Sequence, residues 1–413
     1  MQTTTPAYQP ALGRLSRLVM FGLLYFVQGA AIAYFRNFQK PYLDSFNISA
    51  DTIGLLTTIL LLPFIFKIFI GMLSDRVNLF NAGHRKPYMI AGLLLATSAF
   101  SGAAFVLPDV SFLFFSTLIV TGSFSVALFD STTDGLAIDI TPHEEQGTVQ
   151  GVMVGGRAVG FIILSLIFGW LVGSTGYRVV FLIIAACMLL PLIFVLRVKE
   201  PPFRPDHATF RWSAFGSLGR SRFLLFALYA VTYSIVSFGI DGLVTFFMSA
   251  RFAAPDTLIG TYGSLRGIGA VIGAVLGGLL LDRIGRRPGA YLALAAVSLG
   301  GLLVGMATGI PMLLALGIGW GIAWGFQETI FVALAMHLCD SRIAASMFAI
   351  MMAVSNIGTA IGDGGATALS DNWGFSTVFI TLALLNVINI PILWGLFRIA
   401  PELTTSPQPA GNE

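Results

Sequence analysis

Charge is scarce in this chain. Asp, Glu, Lys and Arg make up 10% of its 413 residues, where an ordinary soluble domain carries about 25%. Cysteine is nearly missing. Cys187 and Cys339 fall in or at the end of apolar stretches with no CxxC spacing, which excludes a disulfide framework and a thiolate metal site. The four histidines, His84, His143, His207 and His337, are scattered without metal-ligand spacing, and no GxSxG motif is present. No metal centre, cofactor or catalytic residue is therefore expected, and an enzyme is a poor reading. With one exception the segments between apolar runs are short, so no loop can build a water-exposed catalytic site.

What the chain has instead is apolar sequence, 56% of it hydrophobic. Spanning a bilayer takes about 20 such residues per helix. Twelve stretches qualify, at residues 15–37, 52–73, 87–107, 111–139, 147–173, 177–197, 222–248, 258–281, 288–308, 311–338, 342–369 and 374–398. The fold class expected is an all-α membrane protein of twelve transmembrane helices. Gly and Ala recur throughout, which suits close packing in lipid, where no hydrophobic effect draws helices together. The first run is too long for a cleavable signal, and no small-residue cleavage site follows it before Arg36 and Lys40, so span one is expected to be retained.

The net charge of +3 reflects topology, and no nucleic-acid partner is expected. With odd-numbered spans running inside to outside, sixteen Lys and Arg fall on one side and four (Arg36, Lys40, Arg178, Arg251) on the other. Such a bias puts both termini in the cytoplasm of a bacterial-type inner membrane. The longest polar stretch, residues 198–221, holds three prolines and divides a six-helix bundle at 1–197 from another at 222–400. A disordered tail is expected at 401–413.

Reading each half from its own start exposes a repeat. GMLSDR at 71–76 ends the second span, and GGLLLDRIGRRPG at 277–289 ends the eighth. Both fit Gly-x-x-x-Asp-Arg, then a basic turn, then the next helix. A glycine one turn before the aspartate admits a neighbouring helix, while the cations sit at the lipid surface. Asp75 and Asp282 can pair with those cations or with a helix N-terminus. One such copy would be a plain topology anchor; two at matching positions point to paired halves, an organisation transporters use.

In this pattern the sequence resembles the major facilitator superfamily, whose signature joins helices two and three and recurs between eight and nine. The matching residues are Gly71, Asp75, Arg76, Gly83, Arg85 and Lys86, and then Gly278, Asp282, Arg283, Gly285, Arg286 and Arg287. The resemblance implies two pseudo-symmetric six-helix bundles in a monomer, with these residues acting as a cytoplasmic latch during alternating access. VNLFNA at 77–82 lengthens the first turn beyond the usual spacing. That insertion, Pro63 and Lys67 in span two, and the acid-rich run DSTTDGLAIDITPHEEQG in span four are similar to muropeptide permeases, acetyl-CoA transporters and folate–biopterin transporters.

Ionisable residues inside spans cost several kcal/mol and so are functional candidates. Asp130 and Asp134, at i and i+4, share one face of span four. Arg157 in span five lies at the depth of Asp130, and Lys67 in span two at that of Asp134. Asp241 in span seven and Arg266 in span eight form a second candidate pair. In span ten, Trp320, Trp324 and Glu328 recur every four residues and so stand in one stripe. Asp139 is read as structural, and Asp363, near the outer end of span eleven, as a cap or gate contact. The resemblance implies that spans one, four, seven and ten line a central cavity, where Tyr25 and Gln28 join the acids. Two close carboxylates in a low-dielectric site favour sharing a proton. The expected activity is proton-coupled symport of a small polar, anionic or zwitterionic organic solute, with Arg157, Arg266 and Lys67 attracting its anionic part. Two rival readings are an exporter of similar solutes and a transporter-like assembly factor for another membrane complex. A channel is disfavoured, since no filter sequence is visible.

Overall fold

Lipid offers no partners for backbone N–H and C=O groups, so a spanning chain must satisfy them within helices. The structure, a computed structural model, describes residues 13–79, 83–200, 216, 219–339 and 344–403, and every regular element in them is helical. We number the long helices α1 Arg14–Asp44, α2 Ala50–Arg76, α3 Lys86–Ala103, α4 Phe112–Ile140, α5 Gln146–Thr175, α6 Tyr177–Val195, α7 Ser221–Phe252, α8 Asp256–Ile284, α9 Arg286–Gly305, α10 Ile310–Leu338, α11 Ala344–Trp373 and α12 Phe375–Ile399. Eleven of these, among the described residues, are long and apolar enough to cross a membrane. The other is α3, whose Lys86-Pro87-Tyr88 start and hydroxyl residues dilute eighteen residues of helix. Most of the expected linker and tail, 201–215, 217–218 and 404–413, lies outside the described residues.

Prolines account for the irregular turns. Pro41 has no N–H to offer the carbonyl of Asn37, and the helix widens immediately before it into a π turn at Tyr34–Phe38. Pro191 likewise leaves the carbonyl of Cys187 to the N–H of Leu190, at 3.0 Å, and α6 breaks between Leu189 and Leu192. In α12 a 3-10 turn at Asn386–Ile388 falls where Pro391 would crowd the carbonyl of Val387. The apolar run of span one was expected to end at 37. The helix instead continues to Asp44, so Lys40 sits in a helix and not in a loop.

Halves on either side of residues 198–221 are a division by sequence repeat. By packing, the chain groups into two compact units along different lines. One comprises 1–32, 66–161 and 178–210; the other comprises 33–65, 162–177 and 211–413.

In the first unit, α1 and α5 pack through small residues. A Cβ on Gly156 would meet the backbone of Gly22, and one on Gly160 the backbone of Phe26. In the second unit α8 and α10 do the same. A Cβ at Gly269 or Gly273 would strike the α10 backbone, and one at Gly321 or Gly325 the α8 backbone. Gly358 and Gly362 of α11 press on the α7 backbone at Val231 and Ile235. The second unit also joins segments from both sequence halves. Gly169 of α5 touches Gly260 of α8, and Gly54 of α2 touches Gly364 of α11. Van der Waals contact between backbones is the interaction that remains available to helices in lipid.

Candidate functional site

The first unit holds a cluster built on one cation. Lys67 Nζ lies 2.9 Å from Asp130 Oδ2 and 3.2 Å from Asp134 Oδ2, so α2 donates one ammonium to two carboxylates one turn apart on α4. Tyr25 of α1 donates its hydroxyl to Asp134 Oδ1. Ser131 Oγ donates to the carbonyl of Lys67, at 3.1 Å, and ties the helices at that level. Asp130 is buried, while the side chains of Lys67 and Asp134 keep 31% and 39% of their surface; the cluster is therefore reachable. Arg157 was placed at the depth of Asp130, which left a pair between them open. In the structure Lys67 takes both acids, and the Arg157 guanidinium, exposed, stands 5.8 Å from the centre of the Tyr25 ring. Gln28 is buried with its carbonyl oxygen unbonded among the described residues, and no hydrogen bond joins it to the cluster.

The second unit holds the other set. Arg266 of α8 forms a bidentate pair with Asp241 of α7, at 2.7 and 2.6 Å, the strong geometry for a guanidinium and a carboxylate. Trp320 of α10 donates its indole N–H to Asp241 at 2.9 Å. One turn on, the Trp324 ring lies under the Arg266 guanidinium at 4.1 Å. A further turn on, Glu328 accepts from Tyr233 of α7, a residue sequence reasoning missed. Spacing along α10 thus placed its stripe, but the partner on α7 is set by helix packing.

Sequence reasoning also missed a buried set beside it. Lys40 pairs with Asp363 of α11 and donates to the carbonyl of Gly242 at 2.6 Å. Arg36 reaches the other carboxylate oxygen of Asp363 at 2.8 Å. The signal available was the i, i+4 spacing of Arg36 and Lys40, hidden because the hydropathy of the span runs out at 37.

The latch motif differs between its two copies. In the first, Arg85 donates to Asp75, to Ser74 and to the carbonyl of Gly71 at 3.3 Å, and approaches Asp139 at 3.5 Å. It so ties the end of α2 to α4, with Asp139 in the structural role read for it. Arg76, at the end of α2, is exposed. The carboxylate of Glu200 accepts from the backbone N–H groups of His84, at 2.7 Å, and Arg85, at 2.9 Å, and from that of Lys86, which is anion binding at a helix N-terminus. Lys86 Nζ in turn donates to the carbonyls of Leu196 and Val198, at 2.7 and 3.1 Å. Replacing Glu200 with Ala is expected to lower stability by about 1–2 kcal/mol, the range of a lost helix cap, with Glu200→Gln in between. Melting temperatures in detergent measure this, and equal values for all three proteins would refute the cap. In the second copy Gly285 joins α8 to α9 at φ 82° and Arg286 is buried. Gly278 faces open space, and Asp282, Arg283 and Arg287 are exposed.

Comparison with known proteins is informative at family level. The profile of the Major Facilitator Superfamily matches residues 21–251 and 237–413, nearly the whole chain. The chain belongs to the Major Facilitator Superfamily. It is accordingly a multi-pass integral membrane protein and a secondary transporter, not an enzyme. Among superfamily relatives, the anhydromuropeptide permease of Escherichia coli (strain K12) is 24% identical over 376 residues, 87% of this chain and 75% of its own length. The cis,cis-muconate transport protein of Acinetobacter baylyi is 25% identical over 195 residues, 43% of this chain and 46% of its own. Among solved structures of this fold, a bacterial homologue of the human lysosomal transporter Spinster aligns with TM-score 0.78 at 17% identity, covering 96% of this chain and all of that one. The nucleoside transporter NupG aligns with TM-score 0.73 at 16% identity, covering 92% and 99%.

Proposed function

We propose that this superfamily member carries a small polar, anionic or zwitterionic organic solute by alternating access, coupled to proton symport. The observation that carries the reading is Lys67 held between Asp130 and Asp134 with the cluster reachable. Two carboxylates and one ammonium leave a net charge of −1, which a single proton cancels. Neutral and charged forms of such a cluster differ most in a low-dielectric setting. Glu328, held by Tyr233, is the second carboxylate assigned to proton transfer. In the first unit Lys67 and Arg157, whose contact among the described residues is an aromatic face, are assigned to the anionic part of a solute; in the second unit Arg266 is the candidate for that role.

In this reading both termini face the cytoplasm of an inner membrane, the protein works as a monomer of twelve spans in two six-helix bundles, and both latch copies regulate opening. The cargoes named for the relatives, muropeptides and muconate, together with nucleosides, sugars, pterins and peptides, form the first panel for a thermal-shift screen. A hit that disappears in Arg157→Ala marks the anion contact. Gradient-driven uptake of that solute into proteoliposomes is expected to fall at least tenfold in Asp134→Asn and in Glu328→Gln. Undiminished uptake by both variants would remove the proton assignment.

One observation favours a second reading, an assembly factor for another membrane complex. Asp241 and Arg266 neutralise each other, as charges retained for packing would. Vesicle uptake separates the two, since an assembly factor moves no solute.

A further inference from the structure

The second unit groups three cations around two carboxylates. Arg36 and Lys40 share Asp363, Arg266 holds Asp241, and Lys40 also lies in the field of Asp241. Three cations thus face two carboxylates among the described residues, and of the three Arg36 keeps the most side-chain surface, 17%. Glu328 stands outside this set, a turn beyond Trp324 on α10.

An aromatic shelf connects the cations. Arg36 sits 5.0 Å from the centre of the Phe238 ring, Phe238 meets Trp324 edge-on at 5.7 Å, and Arg266 covers the other ring of that pair. At the same place two buried donors have no hydrogen-bond partner among the described residues. They are the indole N–H of Trp324 and the hydroxyl of Tyr262, which stands one turn before Arg266 on α8 in the field of that residue and Asp241. Buried donors are almost always satisfied, and an orphan needs an explanation. Moreover, the π turn at Tyr34–Phe38 includes Arg36, and such turns are frequent at functional sites.

We propose that Arg36, Arg266 and the Trp324 N–H bind the carboxylate or phosphate of the transported solute, while Glu328 takes a cationic or hydrogen-bond-donating group on it. The inference rests on the transport reading and sharpens it. Four residues of helix between Trp324 and Glu328 rise about 6 Å, so the preferred solute is a zwitterion whose two groups stand about one helical turn apart. An α-amino acid, whose charges are closer, spans too little.

A ladder of ω-amino acids tests the spacing without knowledge of the natural cargo. Thermal shift and tryptophan fluorescence of the purified full-length protein are read against glycine, β-alanine, γ-aminobutyrate, δ-aminovalerate and ε-aminocaproate, with valerate and pentylamine as singly charged controls. Binding is expected to peak at γ-aminobutyrate or δ-aminovalerate. Affinity for the best probe is expected to fall about tenfold in Arg36→Gln and in Trp324→Phe, which keeps the ring under Arg266 but lacks the N–H. The double variant Asp241→Asn with Arg266→Gln, which removes both charges of the pair together, is expected to lose binding as well. Absence of any response in the wild type, a response independent of chain length, or unchanged affinity in Arg36→Gln and Trp324→Phe would overturn the proposal. Gradient-driven uptake of any panel solute alongside one of those outcomes leaves the transport reading standing; binding on the ladder with no uptake of any solute does the reverse.

Discussion

Lys67→Met is expected to be among the most damaging single changes in the first unit, costing about 1–3 kcal/mol, between an exposed and a buried ion pair because Asp130 is buried while Lys67 and Asp134 keep part of their surface. The ammonium is what lets Asp130 and Asp134 stand one turn apart on α4. Without it, two carboxylates face each other in a poorly screened setting, and the accessible outcome is for one to stay protonated. The variant should therefore melt lower at neutral pH than the wild type and recover as pH falls. Adding Asp130→Asn should restore much of the loss at neutral pH, because the buried acid is then neutral from the start. Melting curves of the three proteins across pH measure this. If Lys67→Met melts like the wild type at all pH values, the cluster is not held together by its charge. In vesicles the same variant should lose gradient-driven uptake, since Lys67 is both the centre of the titrating set and an assigned contact for the solute.

Gly325→Val should disrupt the second unit by about 3 kcal/mol or more, the upper range for overpacking. A Cβ at this position would lie 2.8 Å from the carbonyl carbon of Ala270 and 2.9 Å from its Cα, and backbone cannot turn aside as a side chain can. Gly319, on the same helix, faces open space. Gly319→Ala should therefore be neutral or gain a few tenths of a kcal/mol from helix propensity. Melting temperature and yield of monodisperse protein distinguish the two, and equal behaviour would mean that α8 and α10 have room to part. The loss should extend to the proposed site, because Arg266 and Trp324 stand on the two helices that this contact holds together.

Much of this could be read from residue order alone, and the failures have physical causes. Apolar length and the basic bias identified a membrane protein because lipid permits few alternatives to helices. The four-residue rhythm put Asp130 with Asp134, and Trp320 and Trp324 with Glu328, because helix geometry is local. Asp241 and Arg266 were read as candidates from matching depth, and the structure joins them. Depth alone, however, does not say which neighbour faces inward: Arg157 and Lys67 lie at similar levels, yet Lys67 reaches the acids. Lys40 was left outside span one because RNFQK is as polar as a loop, and the partner that makes it tolerable inside a helix, Asp363, lies more than three hundred residues away. Glu200 gave no signal, since a cap made by a distant carboxylate leaves no spacing to read.

The wide turn at Tyr34–Phe38 carries a mechanical consequence. A π turn holds one residue more than an α turn needs, so α1 contains slack in the middle of its length. Passing that surplus one turn along a helix rotates each residue it crosses by about 100° about the axis, while the ends keep their places. Arg36 and Lys40 could then swing off Asp363 without any bend in the rod, and the helix would act as a screw whose thread slips by a single residue.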